Sequence, residues 1–279
     1  GNFPEEIVVS PELDLWGDLF FQKPALGVSE IQATNIQHIV IDSDIWRIYV
    51  DVECTNPEHN GISWANGYRS INEAIEYFVS HSNDPDAKDK TFEIYVLEGT
   101  IEPRFSFSDL DPKTATINIL KMPGEQTLHL KGGFMRESDA EGDARPYNPT
   151  LYRSFIDGNV KANELADGLY HNIVVADGAN AVIEGFHVIN GYAEGNAKVK
   201  RGAGLLIGVD ATVEVKDCIF ENNTAAENAA IGLVDNANGS KLKLTNCVIN
   251  NNTNTDETTP ILPTENAVTL LHCTVGNNI

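Results

Sequence analysis

No run of apolar residues in this 279-residue chain approaches the ~20 that a membrane-spanning helix needs, so no membrane span is expected. Basic residues are scarce: 19 lysines and arginines stand against 41 aspartates and glutamates, a formal charge of −22. That balance argues against nucleic acid or an anionic membrane as partner. The sequence also lacks the GxSxG, P-loop, dinucleotide-binding and HExxH patterns. Its seven histidines are scattered, so no zinc site is expected. Disorder is not indicated either, because 42% of the residues are hydrophobic, enough for a sizeable core. The chain opens Gly1-Asn2-Phe3-Pro4 without methionine, which fits a processed start with a signal or lipid-anchor sequence upstream.

What is present is a repeat of about 30 residues. Ala181, Val213, Leu242 and Val268 can be laid in register. Two residues on come Ile183, Val215, Leu244 and Leu270; five on come Phe186, Cys218, Cys247 and Cys273; seven on come Val188, Phe220, Ile249 and Val275. Nine on, all four copies have asparagine: Asn190, Asn222, Asn251 and Asn277. Apolar residues two apart describe a strand with one buried face. The single step of three places one extra residue at a bend, so that both short strands face one interior. Asparagine tolerates the left-handed backbone of the next corner. An apolar stretch before each copy (173–175, 205–207, Leu233-Val234, Ile261-Leu262) supplies a third strand.

Three short strands per copy with no helical period between them describe one coil of a β-solenoid. The fold expected is an all-β, right-handed parallel β-helix. Coils stack about 4.8 Å apart, which turns Asn190, Asn222, Asn251 and Asn277 into a ladder of amides bonded between coils. Cys218, Cys247 and Cys273 become a core column of thiols. A disulfide between stacked coils is the alternative, although parallel side-chain vectors aim the sulfurs poorly.

Less regular coils are expected earlier, around residues 91–96, 117–120 and 128–130, separated by turn signals such as Pro123-Gly124 and Asp157-Gly158. One α-helix is expected over about 71–80. Ser70 and Glu73 form a capping-box pattern, and Ile71, Ala74, Ile75, Phe78 and Val79 share one face. Ahead of the first coils it is placed to cap a raw solenoid end. The expected organisation is an N-terminal segment, 1–46, packing on or capping the first coil, and a β-helix domain, 47–279, with its regular coils at about 173–279. Residues 83–90 and 137–148 read as polar loops.

Several stretches carry a resemblance: 61–68 (GISWANGY), 70–75 (SINEAI), 94–100 (IYVLEGT), Gly132-Gly133-Phe134 and Phe155-Ile156-Asp157-Gly158. Together they resemble bacterial secreted β-helix proteins of the pectin-lyase-like type over some 230 residues. Phe220-Glu221-Asn222-Asn223 and Gly202-Ala203-Gly204-Leu205 are similar to the FxxN-type repeats of polymorphic outer-membrane adhesins. The resemblance implies the fold and a bacterial secreted or cell-surface location, with lipid anchoring through an upstream sequence. It says little about activity, because one fold hosts many functions.

Candidate sites are few. Asp139, Glu141 and Asp143 alternate in a loop and could offer carboxylates to Ca²⁺, although Gly142 breaks the EF-hand pattern. Asn254-Thr255-Asp256 matches one element of the polygalacturonase-like hydrolases, but the Asp-Asp and Gly-His-Gly elements are missing. Lys198, Lys200 and Arg201 could supply a lyase base, yet no ordered acidic partners stand at matching coil positions. His187 and His272 are expected to face outward. The asparagine-Xaa-threonine triplets at Asn222 and Asn251 are accounted for by the ladder. The expected function is therefore a non-catalytic secreted or cell-surface protein, adhesin-like or glycan-binding, with carbohydrate or a host-surface protein as partner and no resident cofactor. The alternative is a polysaccharide lyase or glycoside hydrolase acting on an acidic polysaccharide.

Overall fold

The computed structural model of the chain describes residues 44–87, 89–103, 115–137, 145–159, 170–194, 200–235, 237, 239–264 and 268–279. Their strands pair in parallel to form a right-handed β-helix with four sheets. The largest sheet has seven strands, stacked in the order Ile45–Val50, Thr91–Leu97, Thr127–Phe134, Asn180–Glu184, Thr212–Lys216, Lys241–Thr245 and Val268–Leu271. A second sheet has six, from Gly99–Ile101 to Thr274–Gly276. A third holds Ile117–Ile119, Ile173–Val175, Leu205–Ile207 and Ile231–Leu233, and a fourth pairs three two-residue strands beginning at Tyr192, Thr224 and Thr253.

The register of the repeat follows directly from its apolar columns. Val213 lies between Ala181 and Leu242, Val215 between Ile183 and Leu244, and Phe220 between Val188 and Ile249. The same columns extend back through Leu128 and Leu130 to Phe92 and Ile94. All of these side chains are buried in one core running the length of the coil stack.

Each of the four repeat copies turns twice through left-handed backbone. The extra residue of the first bend is Gly185, Asp217, Asn246 or His272, with φ of 77°, 50°, 54° and 53°. The second corner is the repeat's asparagine: Asn190, Asn222, Asn251 and Asn277 have φ of 60°, 57°, 55° and 52°. The amides that bond one another in a buried column belong to the following residue. Asn223 Nδ2 donates to Asn252 Oδ1 at 3.0 Å, and Asn252 Nδ2 donates to Asn278 Oδ1 at 3.0 Å. The column also takes in Asn172, whose Nδ2 donates to Asn223 Oδ1 at 3.4 Å. The ladder is thus displaced by one position from the asparagines marked by the repeat. Strand geometry sends the side chain of the left-handed corner residue outward and returns the next one to the interior.

Cys218 and Cys247 are buried, Cys273 is half-buried, and all are free thiols, so no inter-coil disulfide forms. The α-helix runs from Ile71 to His81 and buries Ile71, Ala74, Ile75 and Phe78 against the first coils. Ser70 accepts the Asn72 amide at its N-terminus. Asn72 in turn saturates an exposed strand edge, donating to Thr116 O at 2.8 Å and accepting Asn118 N at 3.1 Å. Phe78 stacks on Phe92 at 4.6 Å. The third strand of the last copy differs from expectation: Ile261 and Leu262 form a bend, and the preceding coil's strand is Ile231–Leu233. Residues 1–43, most of the expected N-terminal segment, lie outside the described residues.

Candidate functional site

On the seven-stranded sheet, alternation sends every second side chain outward. Two outward columns run side by side along the coil axis. One passes through Arg47, Glu93, His129, Val182, Glu214, Lys243 and Thr269; the other through Tyr49, Tyr95, Lys131, Glu184, Lys216, Thr245 and Leu271. A shallow depression of ≈ 150 Å³ opens between them, lined by Glu93, Tyr95, His129, Lys131, Val182 and Glu184.

Aromatic packing supports Tyr95 at its edge. The segment after the first strand folds back so that Trp64 lies 4.5 Å from Tyr49 and 5.4 Å from Phe134. Phe134 stacks on Tyr95 at 4.5 Å and meets Tyr147 at 5.3 Å. Tyr147 belongs to the segment read from sequence as a polar loop, yet it forms an antiparallel bridge to Phe134. Its hydroxyl donates to Glu184 at 2.7 Å, and Lys131 Nζ sits 3.9 Å above its ring. The Arg47 guanidinium covers Tyr95 at 4.3 Å.

The charges of the two columns are paired within the face. Arg47 donates to Glu93 through Nε at 2.9 Å and Nη2 at 2.7 Å. Lys131 lies 3.0 Å from Glu184, and Glu214 takes both Lys243 at 2.6 Å and Lys216 at 3.0 Å. Hydrogen bonds from Lys243 and Lys216 hold the Glu214 carboxyl below the usual carboxylate range, the opposite of what a general acid requires. Burial, offset in part by nearby carboxylates, lowers His129, whose imidazole is neutral near pH 7. Burial pushes the Tyr95 phenol up to about 12, and burial with donation to Glu184 pushes Tyr147 up as well. The face therefore presents phenols, an imidazole and fixed ion pairs, a surface rich in hydrogen-bonding groups.

The residues singled out from sequence lie elsewhere. Asp139, Glu141 and Asp143 fall outside the described residues, and among those described no three His, Cys, Asp or Glu side chains are placed to hold a metal ion. Asn190, Asn222, Asn251 and Asn277 line an outer corner. There Asn190 donates to Asp157 at 2.8 Å, Asn251 to Glu221 at 3.1 Å and Asn277 to Asn250 at 3.1 Å. Cys218 and Cys247 point into the core, and burial raises both thiols, Cys247 to about 11, so neither is a poised nucleophile. Lys198 lies outside the described residues, while Lys200 and Arg201 each lie 2.5 Å from Glu227, with Arg201 also 2.9 Å from Asp235. Those ion pairs join neighbouring coils and leave no convergent base. Asn254 is buried and donates to Thr259 and Pro260, holding its loop, while Asp256 is exposed. His187 stands on the outer side of the second sheet but is covered to 9% exposure, edge-on to Phe155. His272 is exposed at its corner.

Sequence reasoning did not single out Tyr95, His129, Lys131, Glu184 or Tyr147. The available signal was the outward parity of 91–97 and 127–134, which carries Glu93, Tyr95, His129 and Lys131. Nothing in the spacing announced that Tyr147 would return to them. Among the described residues, no helix is long and apolar enough to cross a membrane. Compared with known proteins, the chain matches no family model, no curated protein and no solved structure.

Proposed function

We propose that this is a non-catalytic secreted or cell-surface protein of the pectin-lyase-like β-helix kind, which holds a glycan along the outer face of its seven-stranded sheet. The carrying observation is the groove in which Glu93, Tyr95, His129, Lys131 and Glu184 converge, with the Tyr147 hydroxyl held on Glu184 beside it. With Arg47 and Phe134 packed on the Tyr95 ring and Lys131 over that of Tyr147, the tyrosines contribute ring edges and hydroxyls to a sugar, and fixed ion pairs supply directed donors and acceptors. Stacked coils repeat about every 4.8 Å, close to the length of one pyranose unit, so an extended chain laid along the coil axis advances about one sugar per coil.

Binding is favoured over turnover by the pairing of the acids. Glycoside hydrolysis needs two carboxyl groups in different protonation states, whereas Glu93, Glu184 and Glu214 each sit against a cation. The second reading, a lyase or hydrolase, has one observation in its favour: acids, a lysine and a neutral imidazole at His129 converge in one groove.

A glycan-array screen with and without Ca²⁺, run beside assays for reducing ends and unsaturated products, separates the two. The expected result is Ca²⁺-independent binding without product, reduced at least tenfold by Tyr95→Ala. Product release that is lost in His129→Ala would establish the enzymatic reading instead.

A further inference from the structure

We infer that the glycan held by this face is uncharged, a hydroxyl-rich polymer rather than a uronate or sulfated chain; the inference rests on the glycan-binding reading of the groove. Four cations belong to the two outward columns: Arg47, Lys131, Lys216 and Lys243. All four already lie within 3.0 Å of a carboxylate of the same columns. They share three acids, and Glu214 bridges two of them.

A polyanion laid along this face would meet only cations whose charge is already offset by a paired carboxylate, and Glu93, Glu184 and Glu214 would stand directly under the ligand's own negative groups. Like charges so juxtaposed oppose binding, and the −22 formal charge of the chain adds a field of the same sign. A neutral sugar imposes neither cost. Its hydroxyls can donate to the outer lone pairs of Glu93 and Glu184 and accept from Lys131 while the pairs stay intact. The aromatic elements point the same way, since the ring edges and hydroxyls of Tyr95 and Tyr147 pack and hydrogen-bond without regard to ligand charge. Arg47 and Lys131, which lie over those two rings, are positioned by in-face pairing.

Isothermal titration of the full chain tests this with two classes of probe, a neutral β-glucan and a galactan against polygalacturonate and alginate, each at 50 mM and 500 mM NaCl. The expected result is binding of a neutral polymer, with affinity changing less than twofold between the two salt conditions, because no counterions are exchanged. Glu184→Gln, which frees Lys131 and removes one acid, is expected to raise affinity for the uronate polymers at least fivefold. Preferential binding of polygalacturonate or alginate that collapses in high salt and disappears in Tyr95→Ala would overturn the neutral-ligand inference while leaving the groove as the binding site. Failure of Glu184→Gln to raise uronate affinity would overturn it as well, by removing ion pairing as its cause. The groove itself is rejected by a different result: binding unaffected by both Tyr95→Ala and the groove-filling Val182→Trp, or no binding to any polymer.

Discussion

Asn252 sits at the centre of the buried amide column and makes more directed contacts than any corner residue. It donates to Phe220 O at 2.9 Å, Asn250 O at 3.0 Å and Asn278 Oδ1, and its Oδ1 accepts from Asn223 N at 3.0 Å. Its neighbour Asn251 is exposed and carries the left-handed φ of 55°. Replacing Asn252 by alanine leaves buried donors and acceptors unsatisfied in two coils, at a cost of about 2–4 kcal/mol. Asn251→Gly keeps the backbone freedom the corner needs and is expected to stay within about 1 kcal/mol of the parent. Denaturant titration of the two variants ranks them; equal effects would show that the column contributes no more than the corner. His171 offers a second measurable residue effect. Burial, only partly offset by its bond to Gly202 O, holds it at about 4 against an ordinary 6.5. The unfolded chain thus takes up a proton there before the folded one. The contribution of this site is complete above pH ~6.5 and is lost as pH falls toward 4, by up to roughly 3 kcal/mol. His171→Gln is expected to flatten the fall in denaturation midpoint across that window. His129 and His187, shifted in the same direction, and Glu214, lowered by its lysine partners, contribute to the slope that remains.

Among the elements, the strands of the regular coils were legible because burial of one face leaves a period of two in the sequence. Thr212–Lys216 reads Thr-Val-Glu-Val-Lys, and both valines are buried. The helix was legible from Ser70 and from the apolar stripe of Ile71, Ala74, Ile75 and Phe78. Its role in sealing a sheet edge through Asn72 was not, since Thr116 and Asn118 stand 44 and 46 residues away. Ile261 and Leu262 mark the limit of reading apolar pairs as strands. Leu262 is buried, but the segment packs as a bend, and composition alone does not separate the two outcomes. The amide column shows the same limit more finely. Asparagine pairs occur at 222–223, 251–252 and 277–278, and only the φ of the first member of each decides which amide turns inward.

Over the whole molecule, the stack is unequally protected at its last coil. Leu244 and Ile249 are 0% exposed, while Leu270 and Val275, at equivalent positions one coil on, are 46% and 45% exposed. In a solenoid each coil is stabilised by its contacts with its neighbours, so opening begins where the core side chains are least buried. Hydrogen exchange is expected to be fastest in residues 268–279 and slowest in the strands Asn180–Glu184 and Thr212–Lys216. Under native conditions alkylation is expected to reach Cys273 before Cys218 and Cys247. Uniform exchange along the stack, or labelling of Cys218 first, would contradict this picture.

The sequence by itself determined the interior: the repeat, the parallel stacking, the two corners and the thiol column. A side chain that packs on its counterparts one coil away must recur at the coil period, and recurrence is visible in one dimension. The tertiary structure alone decided the outer face. Tyr147 meets Glu184, and Arg47 meets Glu93, across 37 and 46 residues of chain. The first pair arises from a loop returning to the sheet surface and the second from two stacked strands outside the repeat, where no periodicity records the contact.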